Sequence, residues 1–330
     1  MKVLFVSYPH VGIGKGGLLK QIQKTKESLE RLGVAVDYHS FAQESLSGYD
    51  VLHFFGLDSL NPVLIQQARE AGIKLVVSPV FNRFGLSKFR YKVEQLMMRR
   101  VPSIKPQLAK INIQMVKFDS VICLNTMEKN LIQSYFRVPK ERLRVIGNGF
   151  DDLLNNVDNN SSIKVEKKKQ VLCVGEICER KNQLKLIRAM KGINAELFLV
   201  GPHKNSSYVK KSLDMASQLA NVHIVGERPF NSIDLIRLYQ ESKVFCLPSI
   251  SEVEPLTVLE AAAFGCNLVC SRTYPINSKV KERVHLVRPD NLRSIRMAII
   301  KSLNAPTPNA PVNLETWDDI AKSILNLYRV

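Results

Sequence analysis

Ser249–Asn267, SISEVEPLTVLEAAAFGCN, joins the apolar run Val244-Phe245-Cys246-Leu247 to a second apolar pattern, of helical spacing, that begins at Leu256. A short apolar run closed by Pro248-Ser249 reads as a buried strand, and Ala261-Ala262-Ala263 followed by Gly265 reads as a helix and its stop. The stretch is therefore a strand, a polar loop and a helix start. Pro255 suits the first helical position, where its missing N–H costs nothing, and the N–H groups of Leu256, Thr257 and Val258 are expected to point forward unpaired. Such a helix end attracts phosphate. Two carboxylates flank it, Glu252 in the loop and Glu260 eight residues later in the helix. Alone, glutamates at this spacing are more often a solvated loop charge and a helix-surface charge.

Outward from this stretch the same alternation recurs. In the second half, strands are predicted at Gln170–Gly175, Ala195–Gly201 and Val222–Gly226, with helices from about Asn182, near Ser206–Ala220 and near Ser232–Glu241. In the first half, Lys2–Ser7, Val34–Val36, Asp50–Phe55, Lys74–Ser78 and Phe118–Asn125 alternate with helical patterns. Short buried strands separated by helices imply a parallel α/β sheet, whose ligands bind beyond the C-terminal strand ends. In the first half those ends offer Tyr8, His10, Phe55, Gly56, Ser78 and Asn82. His53, inside a strand, reads as a partly buried core histidine.

Residues 154–170, LNNVDNNSSIKVEKKKQ, have no apolar period and read as a linker. The expected organisation is a Rossmann-like domain over 1–153, the linker, a second Rossmann-like domain over 171–312, and a C-terminal helix over 313–330. In that helix Trp317, Ile320, Ile324, Leu325 and Tyr328 share one face.

The central stretch resembles the signature of the family-4 retaining glycosyltransferases, glycosyl transferases group 1, in which two glutamates separated by seven residues lie between a Pro-Ser strand end and a small-residue helix. The match runs from Pro248 through Glu252 and Glu260 to Gly265 and Leu268-Val269; Val253 and Glu254 stand where the family has glycine and an aromatic. The resemblance implies the GT-B architecture, α/β with two Rossmann-like domains facing a cleft and a C-terminal helix crossing back to the N-terminal domain. It extends to Gly16-Gly17, matching a glycine pair that faces the donor phosphates, and to Gly175, with Lys181 six residues on and Arg180 before it, matching the cations that neutralise a departing diphosphate. It places Glu260 on the ribose and Glu252 near the sugar hydroxyls. The donor is then expected on the second domain, at Gly175, Pro255, Leu256, Thr257 and Glu260, with Gly16 and Gly17 completing the diphosphate site. Arg180, Lys181 and Glu252 are the expected catalytic residues. The acceptor is expected on the first domain, near His10, Ser78 and Asn82; the family often has histidine where this chain reads Ser78.

Composition bounds the alternatives. With 330 residues, 45% hydrophobic and 23% charged, the chain has room for two ordinary cores. No apolar run reaches the roughly 18 residues needed to span a bilayer, and MKVLFVSYPH reads as a first strand and not as a secretory leader. The six cysteines lie mostly in apolar runs without zinc-ligand spacing, which predicts reduced thiols and a cytoplasmic setting. No Asp-x-Asp pair occurs, so neither a metal nor another cofactor is expected, the nucleoside-diphosphate sugar being a co-substrate.

A net charge of +17 calls for anionic partners. Within 81–117, Arg83, Lys88, Arg90, Arg99 and Arg100 are interleaved with Phe84, Phe89, Tyr91 and Met97, while Glu94 is the single acid. Such a segment reads either as a docking surface for an anionic membrane, which would place the protein peripherally at the inner face, or as a solvated helix face. No nucleic-acid-binding motif accompanies the charge, and nucleic acid is not an expected partner.

The expected reaction is metal-independent transfer, with retention, of a hexose-type sugar to a glycan or lipid-linked acceptor in surface-polysaccharide assembly. A catalytically silent nucleotide-sugar-binding subunit and a nucleotide-sugar epimerase of the same architecture are the alternatives.

Overall fold

The computed structural model describes residues 1–8, 16–40, 45–82, 111, 113–150, 165–229, 232–308 and 312–330. The chain divides into two units, Met1–Gly149 with Glu315–Val330, and Phe150–Leu314. Each is built on a six-stranded sheet in which all pairings are parallel.

In the first unit the strands are β1 (Lys2–Val6), β2 (Ala35–Tyr38), β3 (Val51–Phe55), β4 (Lys74–Ser78), β5 (Ser120–Cys123) and β6 (Leu143–Val145), in spatial order β2-β1-β3-β4-β5-β6. Helices α1 (Gly17–Arg31), α2 (Pro62–Glu70) and α3 (Thr126–Phe136) connect them. Strand β3 is buried at every position, as a central strand covered on both faces must be. Helix α2 starts where the sequence signals it: Pro62 occupies the first turn, and the Asn61 side chain accepts from the N–H groups of Val63 and Leu64.

The second unit runs β7 (Lys168–Val174), α4 (Gln183–Met190), β8 (Glu196–Val200), α5 (Ser207–Ser217), β9 (Val222–Gly226), α6 (Ile233–Glu241), β10 (Ser242–Leu247), α7 (Leu256–Ala263), β11 (Asn267–Ser271), β12 (Val284–Val287) and α8 (Leu292–Asn304). Its spatial order is β12-β11-β10-β7-β8-β9. From β7 the chain first builds outward through β8 and β9. It then returns to lay β10 against the other side of β7, with Val244 opposite Val171 and Phe245 opposite Leu172. The direction of winding reverses between β7 and β10, which leaves a crevice beyond their C-terminal ends.

Strand β7 begins at Lys168, inside the stretch expected to be linker. A lysine run carries no apolar period, yet its ammonium groups have partners here: Lys168 Nζ lies 2.8 Å from the Glu241 carboxylate, and Lys167 Nζ donates to the carbonyls of Tyr239 (2.9 Å) and Phe264 (2.7 Å). Residues 154–164 of the expected linker fall outside the described residues, as does the basic segment from 83 to 110.

The last helix, α9 (Trp317–Arg329), belongs to the first unit. A reciprocal cap between Thr316 and Asp319 starts it, and its expected face, Trp317, Ile320, Ile324, Leu325 and Tyr328, is buried. Trp317 lies so close to Gly149 that a Cβ there would sit 2.6 Å from the Trp317 backbone. Tyr328 reaches the sheet, its hydroxyl 2.6 Å from His53 Nδ1, while His53 Nε2 is 2.9 Å from Ser78 Oγ. His53 is fully buried, more deeply than its position in a strand suggested.

Candidate active site

At the winding reversal of the second sheet, two loops are stitched together. After β7 the chain turns at Gly175, whose φ of +147° is open to glycine. A Cβ at Gly175 would lie 3.2 Å from Lys181 Cε, so the missing side chain makes room for the lysine stem. The chain then passes through a short 3₁₀ turn, Glu179–Lys181, to Asn182 in the left-handed region (φ 63°). Asn182 Nδ2 donates to the carbonyls of Pro248 (3.1 Å) and Pro289 (2.8 Å). The Ile250 N–H donates to the Arg180 carbonyl (2.8 Å), and Arg180 Nη1 donates to the Ser251 carbonyl (3.0 Å). The loop after β10 is thereby fixed against the loop after β7.

Glu252 is the product of this arrangement. Its Oε1 lies 2.8 Å from Lys181 Nζ and its Oε2 lies 2.7 Å from Arg180 Nη1, with the glutamate side chain 9% exposed. Burial opposes its charge, but Lys181 and then Arg180 outweigh that effect and hold the carboxyl below the ordinary carboxylate range. Glu252 is thus not the solvated loop charge that its spacing alone suggested; the three expected catalytic residues form one partly sequestered ion cluster.

Helix α7 starts beside it. Pro255 is the N-cap residue, one position earlier than expected, and no side chain caps the helix. The expected trio of forward-pointing N–H groups is reduced to Leu256 and Thr257, because the Val258 N–H closes a tight turn onto the Pro255 carbonyl (3.1 Å). The hydroxyls of Thr257 and Ser249 are buried without hydrogen-bond partners. A helix N-terminus, two cations and two unsatisfied hydroxyls at a winding reversal are what an anionic ligand rich in oxygen requires.

Glu260 is buried and not on the helix surface, and its Oε2 accepts a 2.7 Å hydrogen bond from the Tyr239 hydroxyl. The remaining expected residues lie in the first unit: Gly16 caps the start of α1, which opens at Gly17, and Ser78 ends β4. Asn82 is half-buried just beyond it, and His10 lies outside the described residues. Among the described residues, no three His, Cys, Asp or Glu side chains converge on a metal site, and no helix is long and apolar enough to cross a membrane.

Residues 156–315 match the sequence profile of the family described as glycosyl transferases group 1. Residues 156–315 belong to that family. A glycosyltransferase of Methanocaldococcus jannaschii, itself uncharacterized, is 30% identical over 235 residues, 64% of this chain and 60% of that protein. The chain thus spans about 60% of the length of the curated relative it matches. Two solved structures share the fold across nearly the whole chain. Sucrose-phosphate synthase from Thermosynechococcus elongatus superposes with a TM-score of 0.71 at 18% identity, covering 100% of this chain and 98% of that one. HepE of Anabaena, in complex with UDP and glucose, superposes with a TM-score of 0.66 at 16% identity, covering 99% and 95%. At such identities the likeness shows the fold, which is that of GT-B glycosyltransferases.

Sequence reasoning passed over Tyr239, and it read Asn182 as the start of a helix without seeing that it ties two loops together. Asn182 follows the expected cations directly, but its left-handed backbone and two carbonyl partners become visible only once the strands are paired. Tyr239 sits among Leu235, Ile236 and Leu238 and reads as one more apolar face position.

Proposed function

We propose that this glycosyltransferase moves a hexose-type sugar, with retention of configuration, from a nucleoside-diphosphate sugar to a glycan or lipid-linked acceptor in surface-polysaccharide assembly. The observation that carries the reading is the Arg180–Lys181–Glu252 cluster beside the uncapped start of α7. When the bond between the sugar C1 and the diphosphate breaks, negative charge develops on the β-phosphate. Arg180, Lys181 and the N–H groups of Leu256 and Thr257 are fixed donors for that charge, in a site where preorganised donors contribute most of the rate. Two side-chain cations supply the compensation a resident metal would otherwise bring, which supports a metal-independent reaction. Glu252, already bridging both cations, stands where it can accept from sugar hydroxyls. Retention follows if the acceptor oxygen attacks C1 on the face the phosphate leaves and passes its proton to the departing phosphate oxygen, a route with no protein nucleophile. The UDP and glucose held by HepE, in the same fold, support a donor of this class.

The acceptor is assigned to the first unit, near Ser78 and Asn82, and the basic segment 81–117 to an anionic membrane surface at the inner face. The silent-subunit reading draws on Val253 and Glu254, which replace glycine and an aromatic beside the cluster.

Isothermal titration of the wild type and of Glu260→Ala with UDP, GDP and ADP, in the presence of EDTA, tests the donor site. Micromolar binding of one nucleotide, lost in the variant, is the expected result; equal or absent binding of all three overturns it. Slow hydrolysis of the matching sugar nucleotide, followed by NMR of the released anomer, separates an enzyme from a silent subunit.

A further inference from the structure

We infer that Tyr239 is a positioning residue that holds the Glu260 carboxylate in the orientation in which it meets the ribose diol of the nucleotide, an inference that rests on the donor site proposed above. The two side chains come from different helices, Tyr239 from α6 and Glu260 from α7, and both are buried. The Tyr239 hydroxyl donates to Glu260 Oε2 at 2.7 Å. A glutamate side chain has three torsions, and a ligand that needs its carboxylate in one place loses affinity for every other rotamer populated. A charge-assisted hydrogen bond from a fixed donor removes that freedom before the ligand arrives.

Tyr239 qualifies as a fixed donor. Its ring stacks on Phe264 at 5.5 Å and 11° and on Phe245 at 6.1 Å and 29°. Its carbonyl accepts from Lys167 Nζ (2.9 Å), and the same ammonium donates to the Phe264 carbonyl at the end of α7 (2.7 Å). One half-buried lysine therefore ties the ends of α6 and α7 together, setting the distance across which the tyrosine reaches the glutamate. Burial, and then the neighbouring Glu260 charge, push the Tyr239 hydroxyl well above its ordinary range, so it keeps its proton and the carboxylate remains the acceptor. A carboxylate only accepts and has about four lone-pair positions, and the two adjacent hydroxyls of a diol are donors that one carboxylate can take together.

Tyr239→Phe removes only the hydroxyl and keeps both ring stacks. Wild type, Tyr239→Phe, Glu260→Gln and the double variant are titrated with UDP, GDP and ADP, and with the 2′,3′-dideoxy counterpart of whichever binds tightest. The ribo-to-dideoxy affinity ratio is the readout, because both ligands sample the same folded fraction and any loss of folded protein cancels. The expected ratio is about tenfold or more for wild type, about threefold or less for Tyr239→Phe with dideoxy binding unchanged, and about one for Glu260→Gln and for the double variant. Equal losses of ribo and dideoxy affinity in Tyr239→Phe, or an unchanged ratio, overturn the inference and leave the donor site standing. A wild type that binds none of the three nucleotides overturns both.

Discussion

Lys181 Nζ stands 2.8 Å from Glu252 Oε1, with the two side chains 11% and 9% exposed, and the residues come from loops that follow different strands. Two buried charges attract strongly but have each lost their water, so the pair itself is a modest source of stability; removing one member leaves the other uncompensated, at a cost of about 3–5 kcal/mol. Arg180 remains as a second partner for Glu252, which places Lys181→Met at the lower end, about 3 kcal/mol. Lys181→Met combined with Glu252→Gln is expected to recover most of that loss. Urea midpoints of the two variants decide it: a double variant no more stable than the single would mean that the lysine acts through packing alone.

The same cluster makes an opposite prediction for binding. Glu252 places a negative charge where the diphosphate is expected, so Glu252→Gln should tighten nucleoside-diphosphate binding by about fivefold, on the order of 1 kcal/mol for like charges at screened distances. Sugar transfer should fall in the same variant, since a neutral amide is a weaker acceptor for sugar hydroxyls. Weaker nucleotide binding by the glutamine variant would put Glu252 on the nucleotide itself and not on the sugar.

How far the sequence carried the reading follows from range. The strand, loop and helix around Ser249–Asn267 are local features, marked by Pro248, Pro255 and Gly265, and they were legible, as was the buried face of α9. Glu252 and Arg180 were legible as candidates but not as partners, because their contact depends on β10 lying beside β7, a pairing across about 70 positions that no local pattern encodes. Glu260 was legible as a ribose-binding candidate only through the family resemblance; its spacing alone suggested a helix-surface charge, because the hydroxyl that keeps it buried sits in another helix. Lys167 and Lys168 read as linker for the same reason, their carbonyl and carboxylate partners being distant in sequence.

Gly201 tests whether the site depends on loop geometry as well as on charge. A Cβ there would lie 2.3 Å from the Gly175 carbonyl oxygen and 2.5 Å from its carbon, at a φ of +148°. Gly201→Ala must displace the turn that carries Lys181, so nucleotide affinity should fall by tenfold or more, about 1.4 kcal/mol, along with a loss of stability. Gly226→Ala is the control: at a φ of +77° with nothing within 4 Å, it should cost about 1 kcal/mol of backbone strain and leave binding unchanged. Titration and thermal melts of both variants distinguish them, and equal effects on binding would remove the special role of Gly201.

His53 gives the first unit a pH dependence of definite sign. Burial alone pushes its pKa down from 6.5 to about 3, while the ring stays bonded to the Tyr328 and Ser78 hydroxyls. Between those values the unfolded chain holds a proton that the native chain refuses, so more protons are bound on unfolding and stability rises with pH. The contribution is complete above about pH 6.5 and is lost progressively as the pH falls toward 3. Between pH 7 and pH 5 the loss from this one group is about 2 kcal/mol, at about 1.4 kcal/mol per pH unit below the unfolded pKa. Carboxylates elsewhere add their own slopes, so the reading is a difference: His53→Gln, neutral throughout, should be less stable than wild type at pH 7 yet lose about 2 kcal/mol less on acidification to pH 5. Urea unfolding of both proteins across that interval is the measurement. Parallel curves would mean that His53 takes up its proton in the native state, and that the bonds to Tyr328 and Ser78 rearrange to accept it.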